Sequence, residues 1–237
     1  MGIGKFLKDH KFSHRAWMYY DLYIKNFRKK IKKYHSQHGE DKEIGKFFEK
    51  KTKGYYFDIG CFHPIRYSNT YHLFKRGWQG TNIDINKTSI DLFNIARPND
   101  KNICAAISDT SNEVDFFEDD ILGPVNTIDN KMYEKSKGIF FKKGIVKKIK
   151  TSKIFDLISE DVLYEKTDFL NVDAEGSDYK IIKQIDLKNS NINLVAIETH
   201  SPNGDTLDDF DNISKYFENN QYFVHKKIGP TTLYTKK

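Results

Sequence analysis

Hydrophobic positions fall into two regimes along the chain. From residue 5 to about residue 37 they recur at helical spacing: Trp17, Tyr20, Ile24, Phe27, Ile31 and Tyr34 stand three or four apart. This predicts one long helix with a single apolar seam. After a connector, His35 to Asp41, and a short helix, Lys42 to Lys51, the pattern changes to brief apolar runs bounded by turn residues. The runs are Tyr55–Ile59, Gly80–Asp84, Lys101–Asp109, Asp168–Asp173 and Leu194–His200. Helical stretches separate them, at Ser68 to Arg76, Lys87 to Ala96, after Ser177 to about Gln184, and Asp205 to Asn219. Apolar strands alternating with helices predict an α/β fold on a parallel sheet. Tyr222 to His225 and Thr231 to Thr235, joined through Gly229-Pro230, predict a closing antiparallel hairpin. Glu113 to Phe117 alternates like a strand, residues of about 110–150 form the least regular stretch, expected to be a variable cap, and Thr151 or Ser152 is expected to cap a short helix ending near Ser159.

Composition fits one main core. The chain has 237 residues, 38% hydrophobic and 14% aromatic, enough for one sizeable domain. No apolar run approaches the ~20 residues a bilayer span needs, and no export signal precedes the first helix, so a cytoplasmic location is expected. Cys61 and Cys104 make no disulfide framework, in keeping with a reducing compartment. The net charge of +6 is unevenly spread: residues 1–53 hold 15 Lys/Arg and 6 Asp/Glu, a net of +9, which leaves −3 for the rest. The chain therefore divides into a basic helical extension, 1–53, and a mildly acidic domain, 54–237. The aromatic seam is expected to pack on that domain or on a second copy in a homo-oligomer, with the lysines in water. The alternative is a basic amphipathic helix on an anionic membrane or glycan.

Candidate chemistry begins where the first strand ends. Gly60 closes the run Tyr55-Tyr56-Phe57-Asp58-Ile59, and Asp84 closes the next, about twenty residues on, an order of parts that fits a nucleotide-type ligand. A carboxylate at the tip of the second strand can accept two ribose hydroxyls. The turn lacks G-x-G-x-x-G, which counts against NAD, whereas S-adenosylmethionine has no pyrophosphate to cradle and tolerates fewer glycines.

Further along, Asp173 and Glu175, and likewise Glu198 and His200, are spaced i, i+2, which in extended backbone sends both side chains to one face. Three carboxylates and an imidazole at neighbouring strand tips repel unless a cation or a proton intervenes. A divalent metal (Mg²⁺, Mn²⁺ or Fe²⁺) on Asp173, Glu198 and His200 is one expectation. General-base work by His200 or Asp173, with His63 touching substrate, is the other. In the cap, Lys142 and Lys143 are candidate contacts to an anionic acceptor, and Glu175 is a candidate substrate contact.

The runs FDIGCFHPIRYSNTYHLFKRGWQGTNIDIN, from Phe57, and FLNVDAEGSDYKII, from Phe169, resemble the FkbM family of S-adenosylmethionine-dependent methyltransferases. The resemblance covers Tyr55 to the C-terminus and implies a Rossmann-like class I methyltransferase fold with a seven-stranded, mostly parallel sheet. It also implies O-methylation of a sugar or polyketide hydroxyl, here of a nucleotide-activated sugar or a surface-glycan precursor. Asp58 and Gly60 match the family's first motif, Ser68, Asn69 and Thr70 its following block, Asp84 its ribose acid, and Asp173, Glu175 and Gly176 its second acidic motif. Ile107, Ser108 and Asp109 become adenine neighbours by the same resemblance. It departs at Cys61-Phe62, where small or glycine residues are common. An RNA methyltransferase drawn to substrate by the basic arm, and a silent binding protein on the same fold, are the competing readings. The absence of an Asn/Asp-Pro-Pro-Tyr motif weighs against the first, and no nucleic acid is expected.

Overall fold

The computed structural model describes residues 11–120, 122–123, 126–138, 145–201 and 204–236. Lys142 and Lys143 lie outside the described residues. The N-terminal part contains α1 (Lys11–Tyr20), α2 (Phe27–Lys30) and α3 (Glu40–Phe47). The first half of the domain runs β1 (Tyr55–Ile59), α4 (Tyr71–Lys75), β2 (Gln79–Asp84), α5 (Lys87–Ala96), β3 (Lys101–Cys104), β4 (Ala106–Ile107) and β5 (Glu113–Glu118). The second half runs α6 (Asn130–Ser136), β6 (Ile145–Ser152), β7 (Phe169–Val172), α7 (Asp178–Ile182), β8 (Leu194–Glu198), α8 (Phe210–Asn219), β9 (Tyr222–Ile228) and β10 (Thr231–Lys236).

Seven strands form one sheet in the order β3-β2-β1-β7-β8-β10-β9. The first five are parallel, and β10 runs antiparallel to both β8 and β9. Strand order reverses beside β1, so the crevice beyond the carboxyl ends of β1 and β7 is the place for a ligand. The expected α/β sheet with its closing hairpin is therefore present.

The central strands are buried on both faces, and a period of two sorts their side chains. Phe57, Ile59, Leu170, Val172, Val195 and Ile197 pack one way, under Ile181, Ile213 and Phe217. Tyr56, Phe169, Leu194 and Ala196 pack the other way, against Ile44, Phe48, Leu73 and Trp78. Asp58 and Asn171 share that second parity and sit opposite each other in register, a polar rung in an otherwise apolar sheet. Such a rung stands only if its members satisfy one another: Asn171 Nδ2 donates to Asp58 Oδ1 (2.9 Å) and Asn69 Nδ2 donates to Asn171 Oδ1 (2.9 Å).

Three expectations about elements need correction. The long N-terminal helix breaks: α1 passes into a π-turn over Asp21–Lys25, and Asn26 folds its side-chain amide back onto Asp21 O and Oδ2, both at 2.9 Å. The extra residue rotates the face, so Trp17, Met18, Asp21 and Leu22 are buried while Tyr20, Ile24, Phe27 and Ile31 are exposed. Apart from Trp17, and Tyr34 beside His72, the predicted seam thus does not pack on the domain. The third apolar run also divides, because the chain leaves the main sheet at Ala105 and β4 pairs in parallel with β6. Thr151 and Ser152 end a strand and do not cap: β5 and β6 pair antiparallel, with Lys148 on Asp115 (2.8 Å) and Lys147 on Glu118, and the expected short helix is a single 3-10 turn, Ile154–Asp156, whose N-cap is Lys153.

Candidate functional site

One cavity opens at the carboxyl edge of the sheet. It is lined from β1 and its turn by Asp58, Gly60, Cys61 and Phe62, from β2 by Asp84 and the residues after it, and by Ile107. From the far side come Asn171, Asp173, Glu175 and Glu198. The chain reaches this shape through Gly60, whose φ is +74° and whose place leaves no room for a Cβ: one would stand 1.6 Å from the carbonyl oxygen of Asp173. The glycine is needed so that the turns after β1 and β7 can touch, and not only for approach to a ligand.

Asp84 is held from two sides. Its Oδ2 accepts the amide of Phe62 (2.8 Å) and its Oδ1 the amide of Asn86 (2.7 Å). Burial raises its pKa to about 6, the two amides opposing that rise, so the group is ionised at neutral pH. A carboxylate oxygen accepts two hydrogen bonds, so each oxygen keeps one acceptor position for a ligand. Ile85, Ala105 and Ile107 line the wall beside it. Vicinal hydroxyls on Asp84 and a flat base along that apolar wall suit a nucleoside, and the adenosyl half of S-adenosylmethionine fits.

At the opposite end the electrostatics invert. Asp173 sits just past β7, and its pKa is pushed up to about 8 by burial first and then by Asp178, Asp58, Glu40 and Asp84. Glu175 and Glu198 rise well above the usual carboxylate range, again through burial first and then through their acidic neighbours, Asp173 foremost. Glu175 is also left-handed, with φ of +47°, followed by Gly176 at +94°. Its carbonyl accepts from Thr127 Oγ1 (2.6 Å), and Asp178 holds the same turn by accepting from the amides of Ala174 (3.1 Å) and Gly176 (3.2 Å). Non-glycine residues in this conformation gather at functional sites.

The structure places the other expected residues differently. His63 is fully buried and does not line the cavity. Its Nδ1 accepts the amides of Ile65 and Arg66, both at 3.0 Å, which leaves the proton on Nε2, donated to Asp21 (2.8 Å). Burial lowers its pKa, and Asp21, whose burial is outweighed by His63 and Lys25, falls to about 2. His63 is thus a neutral strut that locks the loop after β1 to the N-terminal arm. His200 also lies off the cavity, because β8 ends at Glu198 and the amides of Thr199 and His200 both turn onto Pro230 O (3.0 and 3.2 Å). Its ring meets Thr199 Oγ1 (2.7 Å) and the edge of Phe210. Asp173, Glu198 and His200 accordingly do not form a metal site, and among the described residues no group of three or more His, Cys, Asp or Glu is arranged to hold a metal ion.

Ser68 and Asn69 line the cavity, but Thr70 does not. Thr70 Oγ1 donates to Asp58 Oδ2 (2.7 Å) and receives Arg97 Nη1 (2.9 Å). Ser68 Oγ accepts the amide of Tyr71 (3.1 Å) and so starts α4 three residues later than the apolar pattern predicts. Asp109 is drawn off by Lys183 (2.6 Å), and neither it nor Ser108 lines the cavity.

Two features escaped the sequence. Arg97, fully buried at the end of α5, donates to Tyr56 Oη (3.1 Å), Thr70 Oγ1, Ser68 Oγ (3.0 Å) and Pro64 O (2.6 Å). Glu40, at the start of α3, joins Gln37 and His38 in lining the cavity and adds its charge to the field at Asp173 and Glu198. Nothing in the apolar pattern marked either one: Arg97 follows a helix end, and Glu40 lies in what reads as a connector, His35 to Asp41.

No curated protein matches the chain. Among solved structures, a TehB-like SAM-dependent methyltransferase from Corynebacterium glutamicum aligns at 12% identity and a TM-score of 0.44, over 94% of this chain and 100% of that one. The 16S rRNA methylase ArmA aligns at 13% identity and a TM-score of 0.33, over 100% of this chain and 92% of that one. Both are too distant to carry an argument about substrate. The Methyltransferase FkbM domain, in contrast, matches residues 53–224, a span holding every strand from β1 to β8; the chain belongs to the FkbM methyltransferase family.

Proposed function

We propose that this methyltransferase moves the methyl group of S-adenosylmethionine to a sugar hydroxyl, on a nucleotide-activated sugar or a surface-glycan precursor, with Asp173 as general base. The observation that carries this reading is the trio Asp173, Glu175 and Glu198, half-buried together in the cavity that Asp84 also lines, with every pKa raised. When bound, S-adenosylmethionine supplies an electrophilic methyl group on a sulfonium. The chain's part is to hold the ribose at Asp84, align the acceptor and take its proton. An alcohol is a weak nucleophile, and a base of pKa near the working pH is the most effective one to assist it. Asp173, at about 8, has that property without a metal. As the new carbon–oxygen bond forms and the methyl–sulfur bond breaks, its electron pair staying on a sulfur that becomes a neutral thioether, the hydroxyl proton passes to the Asp173 carboxylate.

A ring of carboxylates and amides also matches a polyhydroxylated acceptor, since each oxygen can take a hydroxyl. The same ring repels a polyanion, so a phosphate-bearing acceptor would enter sugar first. Incubation with labelled S-adenosylmethionine and a panel of free, nucleotide-activated and lipid-linked sugars, read by mass, is expected to show a gain of one methyl on a hydroxyl. Methylation of RNA with every sugar untouched would overturn the reading.

The cofactor half has its own test. Asp84→Ala is expected to weaken S-adenosylmethionine binding tenfold or more, by ~1.5 to 3 kcal/mol, the range for hydrogen bonds to a charged group. Calorimetry on samples checked by melting for a folded chain would show it. An affinity equal to that of the parent protein would remove Asp84 from the ribose.

A further inference from the structure

The N-terminal arm presents a face that the proposed reaction does not use. Burial of Trp17, Met18, Asp21 and Leu22 fixes one side of α1 and the π-turn to the domain, against Ile65, Tyr71 and Leu92. The opposite side therefore points outward. Tyr19, Tyr20, Tyr23, Ile24, Phe27 and Ile31 follow each other there at steps of one, three and four, with Ile24 67%, Phe27 56% and Ile31 70% exposed. Residues 11–34 hold eight Lys/Arg and one Asp, a net of +7, and that Asp is buried on His63. The cations lie beside the rings: Lys30 Nζ is 4.7 Å from the centroid of Tyr23 and Lys29 Nζ 5.2 Å from that of Tyr67. Burial and the like charges of Arg66, Lys32 and Lys25 together lower the pKa of Lys29 against the opposing charge of Asp21; Asp21 also holds Lys25 (3.0 Å) and is the one acid against eight cations in residues 11–34, so positive charge is in excess on this arm.

The geometry points to an anionic lipid bilayer as the partner of this face. Aromatic and aliphatic side chains flanked by lysines are what an interfacial helix sinks to the headgroup boundary, and phosphate headgroups supply the missing charge. A second copy of the chain fits worse, because a two-fold contact would set this +7 surface against itself. Single-stranded nucleic acid fits worse too: it would use the lysines and rings, but Ile24 and Ile31 offer nothing for a base to stack on. No helix among the described residues is long and apolar enough to cross a membrane, so the contact is peripheral. Tyr67 belongs both to this surface and to the cavity wall, which puts a docked bilayer beside the cavity mouth.

Cosedimentation of the full chain with phosphatidylcholine vesicles, and with vesicles in which part of that lipid is replaced by phosphatidylglycerol, tests the proposal. Binding is expected only to the anionic vesicles, weakening as salt rises. Arg28→Glu/Lys32→Glu and, separately, Ile24→Ser/Ile31→Ser should each lower it tenfold or more, with melting temperature and S-adenosylmethionine affinity unchanged. Failure of the full chain to bind anionic vesicles would overturn the proposal, as would equal binding by both variants. So would an oligonucleotide shift, or a concentration-dependent dimer, that these substitutions abolish while vesicle binding is absent.

Discussion

Asp173→Asn is expected to lower turnover by about 10²- to 10⁴-fold, the usual contribution of a positioned general base, and yet to make the protein harder to melt. The two effects have one source. Burial and the neighbouring acids hold the folded carboxyl at about 8 against an ordinary 3.8, so the folded state keeps a proton that the unfolded chain gives up. A group raised in this way contributes its full stability below pH 3.8 and loses it as pH climbs through about 8, at up to about 1.4 kcal/mol per pH unit. Asparagine fills the same space without titrating. The variant's advantage in melting temperature should therefore be small near pH 4, grow towards pH 8 and level off above it. Scanning fluorimetry across that range, beside turnover on the acceptor found by the sugar panel, separates the roles. Undiminished turnover would take Asp173 out of proton transfer. A variant less stable than the parent at pH 8 would mean that Asp173 holds the cavity together and does not strain it.

The sheet and half of this site were legible because they rest on local rules. Apolar runs that end in an acid, as at Asp84 and Asp173, or hold one a residue before the end, as at Asp58, stand out because a carboxylate there needs a reason to exist. The three acids of β1, β2 and the β7 turn do share the cavity. Where the reading failed, it carried a local rule past the element that justified it. The i, i+2 spacing of Glu198 and His200 puts both on one face only in extended backbone, but β8 stops at Glu198 and Pro230 O draws the next two amides away. The seam through Trp17 and Ile31 needs unbroken 3.6-residue spacing, which the π-turn over Asp21–Lys25 interrupts; the same turn sets Asp21 on His63, 42 residues downstream. Glu40 was unreadable for a related reason. It lies before the family match, in a connector whose place over the cavity depends on how α3 docks under β1.

Arg97→Met is expected to destabilise the protein by about 3 to 5 kcal/mol, as when one partner of a buried charge network is removed. That is a large share of the roughly 5 to 15 kcal/mol by which domains are stable. The guanidinium sits between two carboxylates and reaches each through a hydroxyl: Thr70 on the way to Asp58, and Tyr56, which donates to Asp100. Methionine keeps most of the volume, beside Phe93 and Phe74, so the loss measures charge and hydrogen bonding more than a cavity. Asp58, whose pKa burial already raises while Thr70, Arg97 and Asn171 oppose it, would be left without its cation at the floor of the ligand cavity. Arg97→Lys should recover little, because one ammonium cannot span four acceptors that a planar fork meets. If the uncompensated carboxylate is the cause, adding Asp58→Asn to Arg97→Met should restore part of the melting temperature. Strictly additive losses in that double-mutant cycle would instead assign the effect to packing, and the two acids would have to be neutralised by some route other than Arg97.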